Sequence, residues 1–190
     1  MFDIEELHGK TVGIVGYGEI GSAVAERAKP FGCRIFALRR NPSQSAGDPL
    51  VDKSFATSDI DGMIGECDFV VAAAPLTPQT RGLVGAKQFA RMKPECVVIN
   101  IGRGPVIDEE ALIAALEAKK IRGAALDVFA VEPLPPGHAF YRLTNVLLSP
   151  HSADHTPGWQ ERAFQCFLDN FARFEKGEPL ENVVDKHAGY

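Results

Sequence analysis

Several features typical of secreted, membrane-spanning or nucleic-acid-binding proteins are missing from this sequence. The N-terminus, MFDIEELHGK, is acidic and polar where a secretory signal would be basic and then apolar, so we predict no export by that route. No apolar run approaches the roughly 20 residues that span a bilayer. The net charge is −5 and no long basic block is present, which argues against a nucleic-acid partner. We therefore expect a soluble protein that binds neither membranes nor nucleic acid.

Cysteine is also scarce, with four residues among 190 and no Cys-x-x-Cys pair. Each cysteine lies in or beside an apolar segment, which favours reduced packing residues and hence a cytoplasmic protein. We predict no metal site. The four are Cys33, Cys67, Cys96 and Cys166.

The sequence does contain a regular alternation of short apolar runs and helical patterns. The runs are continuous, as in strands of a parallel sheet that is buried on both faces. They are TVGIV (11–15), RIFAL (34–38), DFVVAA (68–73), CVVINI (96–101), GAALDVF (123–129) and NVLLSP (145–150). This β-α-β-α series predicts an α/β fold with a doubly wound parallel sheet. Asp108 is the expected N-cap of one helix, and a last helix is predicted from Thr156, with Pro157 in its first position, to Gly177.

A Gly-x-Gly-x-x-Gly motif, GYGEIG, follows the first apolar run and opens the first helix. Gly16 permits the tight turn, Gly18 leaves room for a pyrophosphate to approach the backbone, and Gly21 lets the helix pack close to the strand. Alone, the motif could be only a structural turn. Its position between TVGIV and an amphipathic helix favours a dinucleotide site.

Two adjacent arginines lie where a dinucleotide-binding domain commonly has a carboxylate. Arg39 comes 18 residues after Gly21, close to the roughly 20 at which the acidic ligand of the adenosine ribose is expected, and Arg40 follows it. A carboxylate accepts hydrogen bonds from a free 2′-hydroxyl and repels a 2′-phosphate, whereas guanidinium groups do the reverse. The pair therefore favours NADP, with NAD still possible. The alternative is a solvated pair on a surface turn.

Three further residues follow the ends of predicted strands. Arg103 lies in NIGRG, Glu132 in DVFAVEP and His151 in SPHSA. In an open parallel sheet, the crevice outside the carboxyl ends of the strands is the ligand site. There the arginine can hold a substrate carboxylate, the imidazole can exchange a proton, and the carboxylate can orient the imidazole. Singly, each residue could be an ordinary loop residue; together they favour reduction of a 2-oxo acid by a nicotinamide cofactor.

These motifs resemble the coenzyme-binding domain of the D-isomer-specific 2-hydroxyacid dehydrogenases, the family of phosphoglycerate, glyoxylate, hydroxypyruvate and formate dehydrogenases. The resemblance runs from Gly9 to Ala153, and the tail PLENVVDKHAGY also resembles the family's usual end. The segments that carry it are GKTVGIVGYGEIG, AAAPLTPQTRGLV, MKPECVVINIGRGPVIDEEAL, GAALDVFAVEP and NVLLSPHSA.

The resemblance implies a Rossmann-type fold and a role for each strand-end residue. Arg103 would bind the carboxylate and carbonyl of a small 2-oxo or 2-hydroxy acid, His151 would be the acid/base, and Glu132 its hydrogen-bond partner. It also implies further cofactor contacts. Glu19 and Ile20 would contact the pyrophosphate, and Pro75 and Thr80 would lie near the adenosine. Ile101 would contact the cofactor as well, and Asp127 would lie near the nicotinamide carboxamide. Family members usually form dimers, and we expect a homodimer with candidate interface residues between Ile107 and Phe140.

The sequence departs from the family in two respects. Arg39 replaces the family's common aspartate, which points to NADP as in its glyoxylate and hydroxypyruvate reductases. Family members also carry roughly a further hundred residues before this domain, which build most of the substrate domain. We expect residues 1–154 to form the dinucleotide-binding domain and 155–190 to be a C-terminal helix and tail, a remnant of the substrate domain.

Two functions follow from these expectations. One is an NADP-dependent 2-hydroxyacid dehydrogenase, present here mainly as its coenzyme-binding domain and weak or inactive by itself. The other is a non-catalytic module for dinucleotide binding or protein association.

Overall fold

The sheet contains seven parallel strands in the computed structural model, which describes residues 5–187. Every strand is short, and β1 is buried along its whole length. The strands are β1 (Thr11–Val15), β2 (Arg34–Arg39), β3 (Lys53–Ala56), β4 (Phe69–Ala72), β5 (Val97–Asn100), β6 (Gly123–Leu126) and β7 (Val146–Leu148). Their order is β3-β2-β1-β4-β5-β6-β7, so the chain first builds outward from β1 on one side and then on the other. The predicted doubly wound parallel sheet is confirmed.

Helices pack on both faces of this sheet, and they are α1 (Glu19–Ala28), α2 (Ile60–Ile64), α3 (Ala86–Phe89) and α4 (Glu109–Glu117). One more helix, α5 (Trp159–Lys176), follows β7 in the chain. Asp108 caps α4 as predicted, because its carboxylate accepts a hydrogen bond from the Ala111 N–H at 3.1 Å.

Successive residues of β2 enter two different hydrophobic clusters. Ile35 and Ala37 pack in a cluster with α1, whereas Phe36 and Leu38 pack in a larger cluster that includes side chains of α2, α3 and α4. This alternation follows from the two-residue period of a strand, and it explains why the apolar runs are continuous. By the same period, Arg39 follows Ile35 and Ala37 toward the α1 face.

One strand and two short helices were not predicted from the sequence. The strand β3 was missed because only Phe55 of its four residues is buried, so its sequence KSFA lacks a continuous apolar run. The short helices α2 and α3 were missed as well, since neither has enough residues to develop a helical period.

The chain divides into two compact units, Met1–Pro150 and His151–Tyr190. In the second unit, α5 begins at Trp159 and not at Thr156. The residue before Trp159 is Gly158, whose left-handed backbone (φ 74°) cannot be part of a right-handed helix. The helix ends at Gly177, whose left-handed backbone (φ 69°) closes the last turn. Phe164, Phe167 and Phe171 are exposed along one side of α5, and their rings stack in sequence at 6.3 Å.

Three of the four free cysteines lie in the core. Cys33, Cys67 and Cys96 are buried, and burial raises the pKa of the Cys67 and Cys96 thiols to about 12. Cys166 is exposed on α5, so the predicted packing role is wrong for this residue. Within residues 5–187 no helix is long and apolar enough to cross a membrane, and no cluster of histidine, cysteine and acidic side chains could hold a metal ion.

Candidate active site

The glycine turn between β1 and α1 lies where the strand order reverses, with β2 on one side of β1 and β4 on the other. Gly16 has φ 96°, and a Cβ there would lie 2.5 Å from the Ala74 backbone, so the position requires glycine. A Cβ at Gly21 would lie 2.5 Å from the Gly16 carbonyl oxygen. At Gly18, by contrast, nothing lies within 4 Å of an added Cβ. The fold itself explains two of the glycines, whereas Gly18 leaves open space beside the turn.

The helix α1 begins directly at this open space. Its N-cap is Gly18, which has no side chain to accept hydrogen bonds from the first turn. Glu19 and Ile20, the first two residues of α1, are exposed. Such a helix start presents backbone N–H groups and the positive end of the helix dipole. The turn is therefore suited to an anionic group such as a pyrophosphate, and a side chain at Gly18 would fill the space that this group needs.

The end of β2 carries the two arginines. Arg39 is half-buried, and its Nη1 donates a hydrogen bond to the Ser45 hydroxyl at 3.2 Å. Arg40 is exposed. Ser45 is only 4% exposed and belongs to a short helical turn, Pro42–Ser45, that follows β2. Arg39 is thus held by a buried partner, which argues against a fully solvated pair.

Tyr17, between the first two glycines, connects the glycine turn to the chain after β2. Its backbone N–H donates to the Leu38 carbonyl at 3.1 Å, and its hydroxyl donates to Asp48 Oδ2 at 3.0 Å. The pKa of the Tyr17 hydroxyl is raised to about 12, first by burial and then by the hydrogen bond to Asp48. The nearby Arg39 charge acts in the opposite direction.

The loop after β4 is fixed by a threonine hydroxyl. Thr80 Oγ1 donates to the Pro75 carbonyl at 2.6 Å and accepts from the Thr77 N–H at 2.8 Å. Pro75 and Thr80 are both half-buried. The two residues therefore belong to one closed turn at the carboxyl end of β4, next to the glycine turn of β1.

The loop that carries Arg103 is shaped by Asn100, the last residue of β5. Asn100 is 2% exposed; its Nδ2 donates to the Arg103 carbonyl at 3.2 Å and its Oδ1 accepts from the Gly102 N–H at 3.2 Å. Ile101, between them, is half-buried and donates its N–H to the Ala72 carbonyl. The Arg103 side chain is exposed, and its Nη1 donates to the Gly102 carbonyl at 2.7 Å.

The Glu132 loop packs directly against the residue after Arg103. A Cβ at Gly104 would lie 2.0 Å from the carbonyl carbon and oxygen of Phe129, so the two loops touch through their backbones. Glu132 is exposed, and its Oε1 accepts a hydrogen bond from the Phe129 N–H at 2.9 Å. The structure thus brings the loops of Arg103 and Glu132 together.

Two residues outside the predicted site support the Glu132 loop. Glu109 Oε2 accepts from the Ala130 N–H at 3.1 Å, and its Oε1 lies 3.2 Å from His138 Nε2. His138 Nδ1 accepts from the Phe140 N–H at 3.3 Å, which leaves the proton of a neutral imidazole on Nε2, facing Glu109.

Asp127 follows β6, and Ser149 follows the neighbouring strand β7. The Ser149 hydroxyl donates to Asp127 Oδ1 at 2.6 Å, and the Asp127 N–H donates to the Asn100 carbonyl at 3.1 Å. Asp127 therefore lies at the same edge of the sheet as the Arg103 loop. His151 is the first residue of the second unit, is exposed and has a left-handed backbone with φ 52°. Its convergence with Arg103 and Glu132 remains a prediction.

Sequence reasoning missed the residues that hold these loops in place. Asn100 gave a usable signal, since a polar residue at the end of a buried apolar run must find hydrogen bonds locally. The others gave none, because their partners lie far along the chain or in unpatterned loops. Besides Asn100, the residues missed are Tyr17, Ser45, Asp48, Gly104, Glu109, His138 and Ser149.

The strand order, with a glycine turn at its point of reversal and an open helix start beside it, defines a dinucleotide-binding α/β domain. Residues 1–153 match the family described as D-isomer specific 2-hydroxyacid dehydrogenase, NAD binding domain. The chain belongs to this family, and the family predicted from the sequence is confirmed.

Similar proteins agree with this assignment. A glyoxylate reductase of Thermococcus gammatolerans is 40% identical over 186 residues, covering 98% of this chain and 54% of the relative. A D-isomer specific 2-hydroxyacid dehydrogenase of Xanthobacter autotrophicus, solved with NADPH and MES, has a TM-score of 0.86 at 38% identity, covering 95% of this chain and 73% of that one.

A third similar protein is the NADPH-dependent glyoxylate/hydroxypyruvate reductase of Sinorhizobium meliloti, solved with NADP and sulfate. Its TM-score is 0.88 at 34% identity, covering all of this chain and 60% of that one. The chain thus spans about half the length of the Thermococcus relative, at 54%.

Proposed function

We propose that this chain binds NADP(H) in preference to NAD(H), as the coenzyme-binding part of an oxidoreductase that interconverts 2-oxo and 2-hydroxy acids. The observation that carries the preference is Arg39, at the end of β2, with its guanidinium held by buried Ser45. In this fold that position normally meets the adenosine ribose, and a guanidinium there attracts a 2′-phosphate. The Xanthobacter and Sinorhizobium proteins, solved with NADPH and NADP, support the same choice.

Each end of the cofactor would have its own contacts. The pyrophosphate would bind the backbone at Gly18 and the first turn of α1, while Arg39 and Arg40 would bind the 2′-phosphate. The turn closed by Thr80 and Pro75 would border the adenosine side. Ile101 and Asp127 would line the nicotinamide side, with the Asp127 carboxylate accepting from the carboxamide.

When bound, the reduced cofactor supplies a hydride to the carbonyl carbon of a 2-oxo acid. Arg103 would hold the substrate carboxylate in a two-pronged contact, and His151 would give a proton to the carbonyl oxygen, which completes a 2-hydroxy acid. Glu132 would accept a hydrogen bond from His151 and orient its imidazole. The alternative, a non-catalytic binding module, requires the same cofactor contacts but no role for Arg103 or His151.

The cofactor proposal is tested by paired calorimetric titrations of NADPH and NADH with the parent and with Arg39→Asp. Each charge-assisted contact to a 2′-phosphate contributes about 1.5–3 kcal/mol, so one contact gives at least about a tenfold preference for NADPH. The substitution should lower NADPH affinity at least tenfold, while NADH affinity holds or rises. High salt should weaken the preference, because the site opens to solvent.

Arg27→Asp is the matched control for this experiment. Arg27 lies in the last turn of α1, away from the glycine turn, and is 74% exposed, so the substitution makes the same charge change without touching the ribose position. Equal affinities of the parent for the two cofactors, unmoved by Arg39→Asp, would mean that the arginines are only a surface turn.

We also propose a homodimer formed through residues 107–140. Val131 in this segment is 61% exposed, and Tyr141, the residue after the segment, is 56% exposed. Association would cover these apolar groups. Sedimentation equilibrium should give twice the chain mass of 20.6 kDa at micromolar concentration. A single-chain mass would count against the dimer and leave the cofactor proposal untouched.

A further inference from the structure

Four residues around the end of β2 are joined by side-chain and backbone hydrogen bonds that form a closed circuit with the backbone of Leu38, and we call them the β2-end network. Its members are Tyr17, Arg39, Ser45 and Asp48. Arg39 donates to the Ser45 hydroxyl at 3.2 Å, the Asp48 N–H donates to the Ser45 carbonyl at 3.2 Å, and the Tyr17 hydroxyl donates to Asp48 at 3.0 Å. The Tyr17 N–H closes the circuit on the carbonyl of Leu38, the residue before Arg39.

The network joins the glycine turn to the loop after β2. The Tyr17 ring is 4% exposed and packs in the α1-side cluster with Ile35 and Ala37. Asp48 is held from its other oxygen as well, because Oδ1 accepts from the Leu50 N–H at 2.9 Å. The hydrogen bond from the Tyr17 hydroxyl to Asp48 therefore connects the glycine turn to the loop that contains Ser45.

The network restricts the conformation of the Arg39 side chain. An arginine side chain loses much rotamer freedom when it binds an anion, and a group already held in one place loses less. Ser45 accepts from only one guanidinium nitrogen, and the planar fork has five N–H donors. One donor can thus hold the side chain in place while the others remain for a ligand.

We propose that Tyr17, Ser45 and Asp48 are positioning residues that set the preference for NADP over NAD by holding Arg39 in its anion-binding conformation. The inference rests on the proposed NADP preference and adds the residues that produce it. A residue with a purely structural role would change the binding of both cofactors together, whereas these residues act on the 2′-phosphate alone.

The test measures the affinities of NADPH and NADH for four variants. Tyr17→Phe and Ser45→Ala each remove one hydroxyl, and Tyr17→Phe keeps the buried ring. Asp48→Ala removes the acceptor, whereas Asp48→Asn keeps an oxygen that can accept from Tyr17. Circular dichroism and the thermal midpoint establish that each variant is folded.

The control variants remove the same groups elsewhere. Tyr141→Phe removes an exposed hydroxyl that donates to Leu134, and Ser58→Ala changes an exposed serine before α2. Neither residue belongs to the β2-end network. These variants should keep the NADPH to NADH affinity ratio of the parent.

Tyr17→Phe, Ser45→Ala and Asp48→Ala should each lower NADPH affinity by about three- to tenfold, the worth of one hydrogen bond, with NADH affinity changed less than about twofold. Asp48→Asn should recover part of the loss. Folded variants with an unchanged affinity ratio, or with equal losses for both cofactors, would overturn the inference while leaving the NADP preference intact. A parent without that preference would overturn both.

Discussion

Gly18 separates the requirements of cofactor binding from those of folding, and Gly18→Ala tests that separation. No atom lies within 4 Å of the added Cβ, and the backbone (φ −109°, ψ −154°) is extended, a conformation open to alanine. Replacing glycine at a compatible position reduces the freedom of the unfolded chain and stabilises by about 0.4–1 kcal/mol. Gly18 is also the N-cap of α1, where alanine is less favourable than glycine, so this gain is offset and the variant should fold about as stably as the parent.

The same methyl group should interfere with the pyrophosphate. Phosphate oxygens that reach the backbone N–H groups at α1 would meet the Cβ, and each charge-assisted hydrogen bond lost costs about 1.5–3 kcal/mol. Affinity for both NADPH and NADH should fall at least about tenfold, because both carry the pyrophosphate. Titration calorimetry and thermal unfolding on the same samples measure the two effects.

Gly62→Ala is the matched control for this prediction. Gly62 lies in α2, has open space at its Cβ and no positive φ, and is far in sequence from the glycine turn. It should gain stability, because alanine is favoured over glycine inside a helix, and should keep the parent's affinities. If Gly18→Ala binds both cofactors as tightly as Gly62→Ala, the pyrophosphate does not approach the backbone at Gly18, and the reasoning is refuted.

Two further predictions concern stability. The pKa of Tyr17 is about 12, above the usual 10, so its stabilising contribution is complete below pH 10 and is lost as the pH rises toward 12. Tyr17→Phe should therefore make the free energy of unfolding, measured by urea titrations, less dependent on pH between 10 and 12. An unchanged pH dependence would contradict the assignment. Gly104→Ala would place a Cβ 2.0 Å from the Phe129 carbonyl, so it should lower the free energy of unfolding by about 1–3 kcal/mol and the thermal midpoint by several degrees. A midpoint equal to that of the parent would show that the Arg103 loop and the Glu132 loop do not touch at this position.

The sheet was predictable because its strands are buried on both faces. All five residues of β1 are buried, with Val12 and Ile14 in one hydrophobic cluster and Val15 in the other, so the strand gives no alternation of apolar and polar residues. The edge strand β3 has a neighbour on one side only and buries Phe55 alone, which leaves its sequence close to that of a loop. The start of α5 was predicted too early, at Thr156, because Pro157 suits a first helical position. The left-handed backbone of Gly158 instead makes Trp159 the first helical residue.

The candidate site also contains some features that the sequence predicts and others that it does not. The glycine turn and Arg39 were predictable because their spacing is fixed by the length of one strand-helix-strand unit. The hydrogen bonds that hold Arg39 were not, since Tyr17 and Asp48 are 31 residues apart in the sequence and lie close together only in the folded chain, where β1 pairs with β2. A hydroxyl or carboxylate in a loop carries no pattern that identifies such a partner.

The most direct test of the account is a crystal structure of this chain grown with NADPH. We expect the pyrophosphate within hydrogen-bond distance of the backbone at Gly18 and the first turn of α1, and the 2′-phosphate on the Arg39 guanidinium, with the Ser45 contact retained. NADPH bound away from the glycine turn would contradict the proposed cofactor site. A 2′-phosphate in solvent, with Arg39 bonded to Ser45 alone, would contradict the proposed basis of the NADP preference.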